Sequence, residues 1–143
     1  MTKIYKIMII AVLSLISVMV FPCEFEFILE DQAGSKQNVK PGKTADIDLG
    51  KTYSLTIIFK EDHGNCRVSA DETYLFLDDE KWKSGKDYLP LLITEQTEWN
   101  QLTSKSWEKQ IVFRADKISQ SQLLVLRECP KGGFDEVLNF QIN

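Results

Sequence analysis

The chain contains few of the residues on which catalysis, metal binding and nucleic-acid binding usually depend. It has one histidine, three cysteines, and 17 lysines and arginines against 21 aspartates and glutamates, for a net charge of −4. A surface that binds phosphate groups needs the opposite sign, so nucleic acid is not an expected partner. One histidine and cysteines in separate segments offer few metal ligands. We therefore expect a protein that is not an enzyme and holds no cofactor and no metal.

The chain also lacks a long helical pattern after residue 22. Apolar and polar residues alternate instead, as in "CEFEFILED", which is typical of half-buried strands. Pro90 indicates that its strand lies at a sheet edge or contains a bulge, and residues 95–109 fit either a turn of helix or a long connection. The predicted strands, lettered A to G, are 23–31, 52–60, 73–77, 88–94, 109–115, 121–129 and 136–142. Seven short strands predict an all-β fold, an antiparallel β-sandwich of immunoglobulin-like type.

Residues 1–22 have the features of a secretory signal peptide. Lys3 and Lys6 precede an uncharged apolar run from Ile7 to Pro22, which is shorter than the ~20 residues of a typical membrane span. A short membrane anchor is the alternative, and Cys23 directly after the run suggests lipid attachment as another. We expect residues 23–143 to form one secreted or periplasmic domain. Membrane contact would then occur only through an uncleaved leader or a lipid on Cys23.

Two cysteines lie in connections that an immunoglobulin-like sandwich brings to the same end. Cys66 falls between strands B and C, and Cys129 closes strand F. In an oxidising compartment such a pair forms a disulfide, and closing a loop of this length stabilises a fold by ~4 kcal/mol on a chain-entropy estimate. We therefore predict a Cys66–Cys129 disulfide that joins the B–C and F–G loops. A strained, exposed disulfide would instead exchange with other thiols, which is the alternative of a thiol–disulfide redox partner.

Loops fixed on a rigid β-scaffold are a common way to present a binding surface. The predicted binding residues lie in the two joined connections and are Asp62, His63, Asn65, Arg67, Pro130, Lys131, Gly132, Gly133 and Phe134. Two tryptophans beside the irregular stretch, Trp99 and Trp107, form a candidate aromatic platform for a protein or a sugar. The alternative for both indoles is packing against the core.

The last third of the chain, "QIVFRADKISQSQLLVLRECP" followed by "FDEVLNFQI", resembles the chagasin-type inhibitors of cysteine proteases. The resemblance covers a strand, a turn, a strand ending in Arg then Pro, and a final strand, and it implies an immunoglobulin-like fold. The family's Asn-Pro-Thr-Thr-Gly motif is replaced here by "EDHGNC". Its Arg-Pro-aromatic motif is also interrupted, because Glu128 and Cys129 separate Arg127 from Pro130. If inhibition did carry over, the loops at 61–72 and 128–135 would enter a protease cleft.

These observations predict an exported, non-enzymatic binding or accessory domain that presents disulfide-joined loops to an unknown protein partner. A protease inhibitor of chagasin-like type is one alternative, and a thiol–disulfide redox partner is the other.

Overall fold

The computed structural model describes residues 23–61, 68–81, 83, 88, 90–128 and 133–143. A single turn of 3-10 helix, Ala70–Glu72, is the one helical element in these residues, and no described helix is long and apolar enough to cross a membrane. The strands are β1 (Glu24–Asp31), β2 (Lys36–Val39), β3 (Thr44–Ile47), β4 (Thr52–Lys60), β5 (Thr73–Leu77), β6 (Glu80–Lys81), β7 (Leu91–Gln96), β8 (Asn100–Thr103), β9 (Ser106–Ala115), β10 (Gln120–Arg127) and β11 (Phe134–Ile142). The predicted all-β class is confirmed.

The strands form two sheets. Sheet A has the order β2-β1-β4-β9-β7, with β8 also paired to β9, and sheet B has the order β3-β11-β10-β5-β6. In the predicted letters these orders contain A–B–E–D and C–F–G, which is the strand order of an immunoglobulin-like sandwich. The expectation of purely antiparallel pairing is wrong at one place, because β3 pairs with β11 in parallel from Thr44↔Asn139 to Ile47↔Ile142.

Four of the strands were not among the seven predicted. They have two to four residues each and are β2, β3, β6 and β8. The stretch 95–109 contains the end of β7, all of β8 and the start of β9, so both expectations for it, a turn of helix and a long connection, are wrong. Pro90 precedes β7, an edge strand whose register shifts between Ile93 and Glu95.

The core lies between the two sheets and is built from alternate residues of the long strands. In β4, Tyr53, Leu55, Ile57 and Phe59 are buried while their neighbours are partly exposed. The sheets contact each other through aromatic rings, with the centroids of Phe113 and Phe140 5.3 Å apart. Burial of this apolar surface is the main favourable term for the fold.

Candidate binding site at the loop end of the sandwich

Three connections meet at one end of the sandwich, which we call the loop end. They join β4 to β5, β8 to β9, and β10 to β11. The backbone N–H of Glu61, directly after β4, donates to the carbonyl of Lys105 in the β8–β9 turn at 2.8 Å. In sheet B, Thr73 at the start of β5 pairs with Arg127 at the end of β10. The described ends of the B–C and F–G connections therefore neighbour each other.

Arg127 connects these segments from inside the protein, with its side chain 1% exposed. Its Nη1 donates to the carbonyl of Ser69 at 3.0 Å and to Oγ1 of Thr73 at 2.9 Å. Its Nη2 donates to the carbonyl of Val68 at 2.9 Å and to Oε1 of Glu61 at 3.3 Å. Glu61 is itself 5% exposed at its side chain, so this ion pair is buried. One guanidinium thus binds both described ends of the B–C connection to the last residue of β10.

A cluster of aromatic rings lies beneath Arg127. The guanidinium carbon of Arg127 is 4.1 Å from the ring centroid of Phe59, a distance typical of a cation–π contact. The ring of Phe59 also stacks with Trp107, at 5.7 Å between centroids, and tilts against Phe25 at 5.4 Å. Phe134, the first residue of β11, stacks on Phe25 at 4.8 Å. The described segments of the loop end therefore pack against a cluster of aromatic side chains.

Gly133 and Phe134 are the described members of the predicted binding loops, and both lie at the root of the F–G connection. Phe134 is half-buried and packs against the core. A Cβ added to Gly133 would lie 2.6 Å from the backbone oxygen of Arg127, which is closer than atoms can approach without a shift. Glycine is required here because the chain passes directly over the end of β10.

The remaining predicted loop residues lie outside the described residues. They are Asp62, His63, Asn65, Cys66, Arg67, Cys129, Pro130, Lys131 and Gly132. The predicted Cys66–Cys129 disulfide lies outside them as well. The described positions nearest in sequence to the two cysteines are Val68 and Glu128. The carbonyl of Val68 accepts a hydrogen bond from Arg127, and the backbone N–H of Glu128 donates to the carbonyl of Glu72, directly before β5.

Sequence reasoning treated Arg127 only as part of a family resemblance and missed its structural role. A signal for it was nevertheless present in the alternation of β10. Leu123, Val125 and Arg127 occupy every second position, and all three are at most 3% exposed. A charged residue in the inward register of a strand needs buried partners, which points to a polar cluster at that end of the sheet.

The two tryptophans of the candidate platform are half-buried and pack partly against the core. Lys109 lies two residues after Trp107 in β9 and is 9% exposed, and its Nζ lies 6.0 Å from the ring centroid of Trp99. The same Nζ donates to the carbonyl of Thr97 at 2.8 Å. Burial lowers the pKa of Lys109, and the nearby carboxylates of Glu98 and Asp71 oppose that shift. Beside Trp99, the interior strand β9 of sheet A thus contains a buried ammonium group.

Comparisons with known proteins identify no family for this chain. No family model matches it, and no curated protein matches it. Among solved structures, it is similar to one titled "Solution Structure of Amebosin", at 13% identity and a TM-score of 0.40, over 72% of this chain and 90% of that chain. The class of the protein therefore rests on its own two-sheet architecture, an all-β sandwich.

Proposed function

We propose that this protein is an exported binding domain that presents its loop end to a protein partner. The observation that supports this most is the anchoring of the connections by Arg127, which hydrogen-bonds to residues 61, 68, 69 and 73. Anchored roots lower the conformational entropy that loops lose on binding, which favours affinity. Export is proposed on the basis of the charged and apolar pattern of residues 1–22.

The Cys66–Cys129 disulfide is part of this proposal. β5 and β10 are paired neighbours, so the segments that contain the two cysteines leave adjacent strands at the loop end. Intact mass before and after reduction and thiol alkylation tests the pair, and peptide mapping identifies the linkage. The same measurement reports cleavage of the leader and any lipid on Cys23. Free, readily alkylated Cys66 and Cys129 in the native protein would contradict a disulfide-joined loop end.

Site-specific photo-crosslinking tests the binding surface itself. A photoreactive side chain replaces Lys131 in the F–G connection, and as a control it replaces Lys117 in the β9–β10 connection at the opposite end of the sandwich. We expect cross-links to a partner protein from position 131 in the native host and none from position 117. Equal cross-linking from both positions would show that the loop end has no special role.

Protease inhibition of chagasin-like type is the second candidate function. The observation that favours it is the meeting of three connections at one end, since such a set of loops forms a wedge that fits a cleft. Assays against a panel of papain-like proteases separate the two candidates, because sub-micromolar inhibition supports an inhibitor. A disulfide potential well below about −300 mV would count against the redox alternative.

A further inference from the structure

The outer face of sheet B has an apolar surface in the half nearest the loop end. We call it the outer apolar patch, and its members belong to three adjacent strands. They are Tyr74, Phe76, Leu124, Leu126 and Val137. Their alternate neighbours, including Leu75, Leu123, Val125 and Leu138, are at most 5% exposed in the core. The patch residues therefore face away from the core and are all half-buried.

The pairing of the strands makes this patch continuous. Leu124 lies directly opposite Phe76 on one side and opposite Val137 on the other. Leu126 lies opposite Tyr74. Residues in direct cross-strand positions have Cβ atoms ~5 Å apart, so these side chains touch and form one surface.

The outer face of sheet A differs from the outer apolar patch of sheet B. Its aliphatic residues are separated by polar partners, because Ile58 lies opposite both Glu26 and Glu108. Val112 likewise lies opposite Ser54 and Glu95. Scattered aliphatic residues of this kind are normal on a protein surface, whereas a continuous apolar patch with a polar rim marks an interaction site.

The rim of the patch is acidic at the loop end. Asp135 lies opposite Leu126, Glu128 directly follows the end of β10, and both are exposed. Glu72 is also exposed, and the hydroxyl of Tyr74 donates to its Oε2 at 2.6 Å. Lys81 also borders the patch, with its Nζ 3.9 Å from the centroid of the Tyr74 ring. The rim therefore favours a basic counterpart.

We propose that the outer apolar patch is the docking surface for a second protein whose contact surface has an apolar centre bordered by lysine or arginine side chains. The acidic rim supplies the charge complementarity that orients such a partner. It also repels the anionic headgroups that attract proteins to membranes. The patch lies on a sheet face rather than at the loop end, so this proposal does not depend on the loop-end proposal.

A matched pair of synthetic amphipathic peptides tests the proposal with the full chain as purified. Both peptides have the same leucine-bearing face, and the positions beside that face are lysine in one and glutamate in the other. Each is titrated into the isotopically labelled protein while backbone amide signals are followed by NMR. We expect the lysine peptide to shift signals of β5, β10 and β11, with about tenfold weaker binding by the glutamate peptide and a loss of affinity at high salt.

Two variants make the outcome specific to the patch. Leu124→Ser should weaken the lysine peptide about tenfold, whereas Ile58→Ser, at a half-buried aliphatic position on the outer face of sheet A, should leave it unchanged. Absence of shifts with both peptides, equal binding of the two, or shifts confined to sheet A would overturn the proposal. Self-association that Leu124→Ser abolishes would also overturn it, because the occupant would then be a second copy of this chain.

Discussion

Arg127 shows at the scale of a single residue how the loop end depends on buried polar groups. Its two Nη atoms donate to a carboxylate, a hydroxyl and two carbonyls in a region almost without solvent. Desolvating the guanidinium and the Glu61 carboxylate is costly, and the ion pair together with these hydrogen bonds offsets that cost. Removing one partner leaves the others buried without compensation, which is more damaging than the loss of an exposed pair.

The first prediction follows from this difference. Arg127→Met should lower the free energy of unfolding by about 3–5 kcal/mol, because Glu61 would remain as an uncompensated buried charge. Arg114→Met is the matched control, since Arg114 pairs with Asp116 but is 45% exposed at its side chain, and it should change stability far less than Arg127→Met. Urea unfolding of both variants measures the difference. Similar midpoints for the two would contradict the anchoring role of Arg127.

Gly133 gives the second prediction. Gly133→Ala should destabilise the protein by about 1–3 kcal/mol, because the added methyl meets the Arg127 backbone oxygen and forces a local shift. Gly42→Ala is the control, since its φ of +73 is unfavourable for alanine but nothing lies within 4 Å of the added Cβ. Urea unfolding measures both costs. Wild-type stability in Gly133→Ala would contradict the close contact with the Arg127 backbone.

The alternation in "CEFEFILED" predicted a half-buried strand, and Phe25, Phe27 and Leu29 are buried there, because burial on one face imposes a period of two. Alternation did not reveal Arg127, because a charge in an inward position looks like an interruption of the pattern until its partners are known. Those partners come from residues 61–73, far away in sequence. Only the pairing of β5 with β10 brings them within reach.

At the scale of elements, the long strands were predictable and the short ones were not. A strand of two to four residues, such as β6 or β8, has too few positions to show a period. The hairpin between β5 and β6 is an example, because its turn consists of Asp78 and Asp79 rather than a glycine-containing pair. Both have positive φ, at 49° and 68°, as a two-residue hairpin turn of type I′ requires.

The two turn residues give a third prediction with opposite signs. Asp79→Gly should raise the free energy of unfolding by about 0.5–1 kcal/mol, because glycine adopts positive φ without strain. Asp78→Gly should lower it by about 1–3 kcal/mol, since the Asp78 carboxylate accepts from Ser121 Oγ at 2.8 Å and from Gln122 N–H at 2.7 Å. Thermal unfolding compares the two variants. A loss of stability in Asp79→Gly would contradict the assigned turn.

At the scale of the whole molecule, the strand count was enough to predict a sandwich, and the order A–B–E–D with C–F–G agrees with that fold. The parallel contact of β3 with β11 was not predictable, because a four-residue segment carries no information about which neighbour it will pair with. The Cys66–Cys129 disulfide stays a prediction.

The pH dependence of folding gives a fourth prediction. Burial lowers the pKa of Lys109, so the unfolded chain binds more protons at that residue between the folded pKa and 10.5, and stability rises with pH in that window. Lys109→Met removes this contribution, so its stability relative to the wild type should be highest near neutral pH and should fall as the pH approaches 10.5. Urea midpoints between about pH 7 and pH 10 measure this trend.

Lys51→Met is the control for that series. The hydrogen bond and charge of Asp48 raise the pKa of Lys51, so its contribution is fully present below 10.5 and is lost as the pH rises through the folded value. This variant should therefore be slightly less stable than the wild type across the same range, and the stability difference between the two should stay constant up to pH 10.5. A parallel response of the two variants would contradict the burial of the Lys109 ammonium.

The position of β11 also has a consequence for the order in which the chain can fold. β11 lies between β3 and β10 in sheet B, yet the ribosome makes it after every other described strand. All the strands of sheet A are synthesised earlier and are paired to one another without it. Sheet B, by contrast, has a gap at an interior position until the last strand emerges. A nascent chain would therefore hold one assembled layer with its apolar face uncovered, and exposed apolar surface of this kind is prone to aggregation and is what chaperones protect.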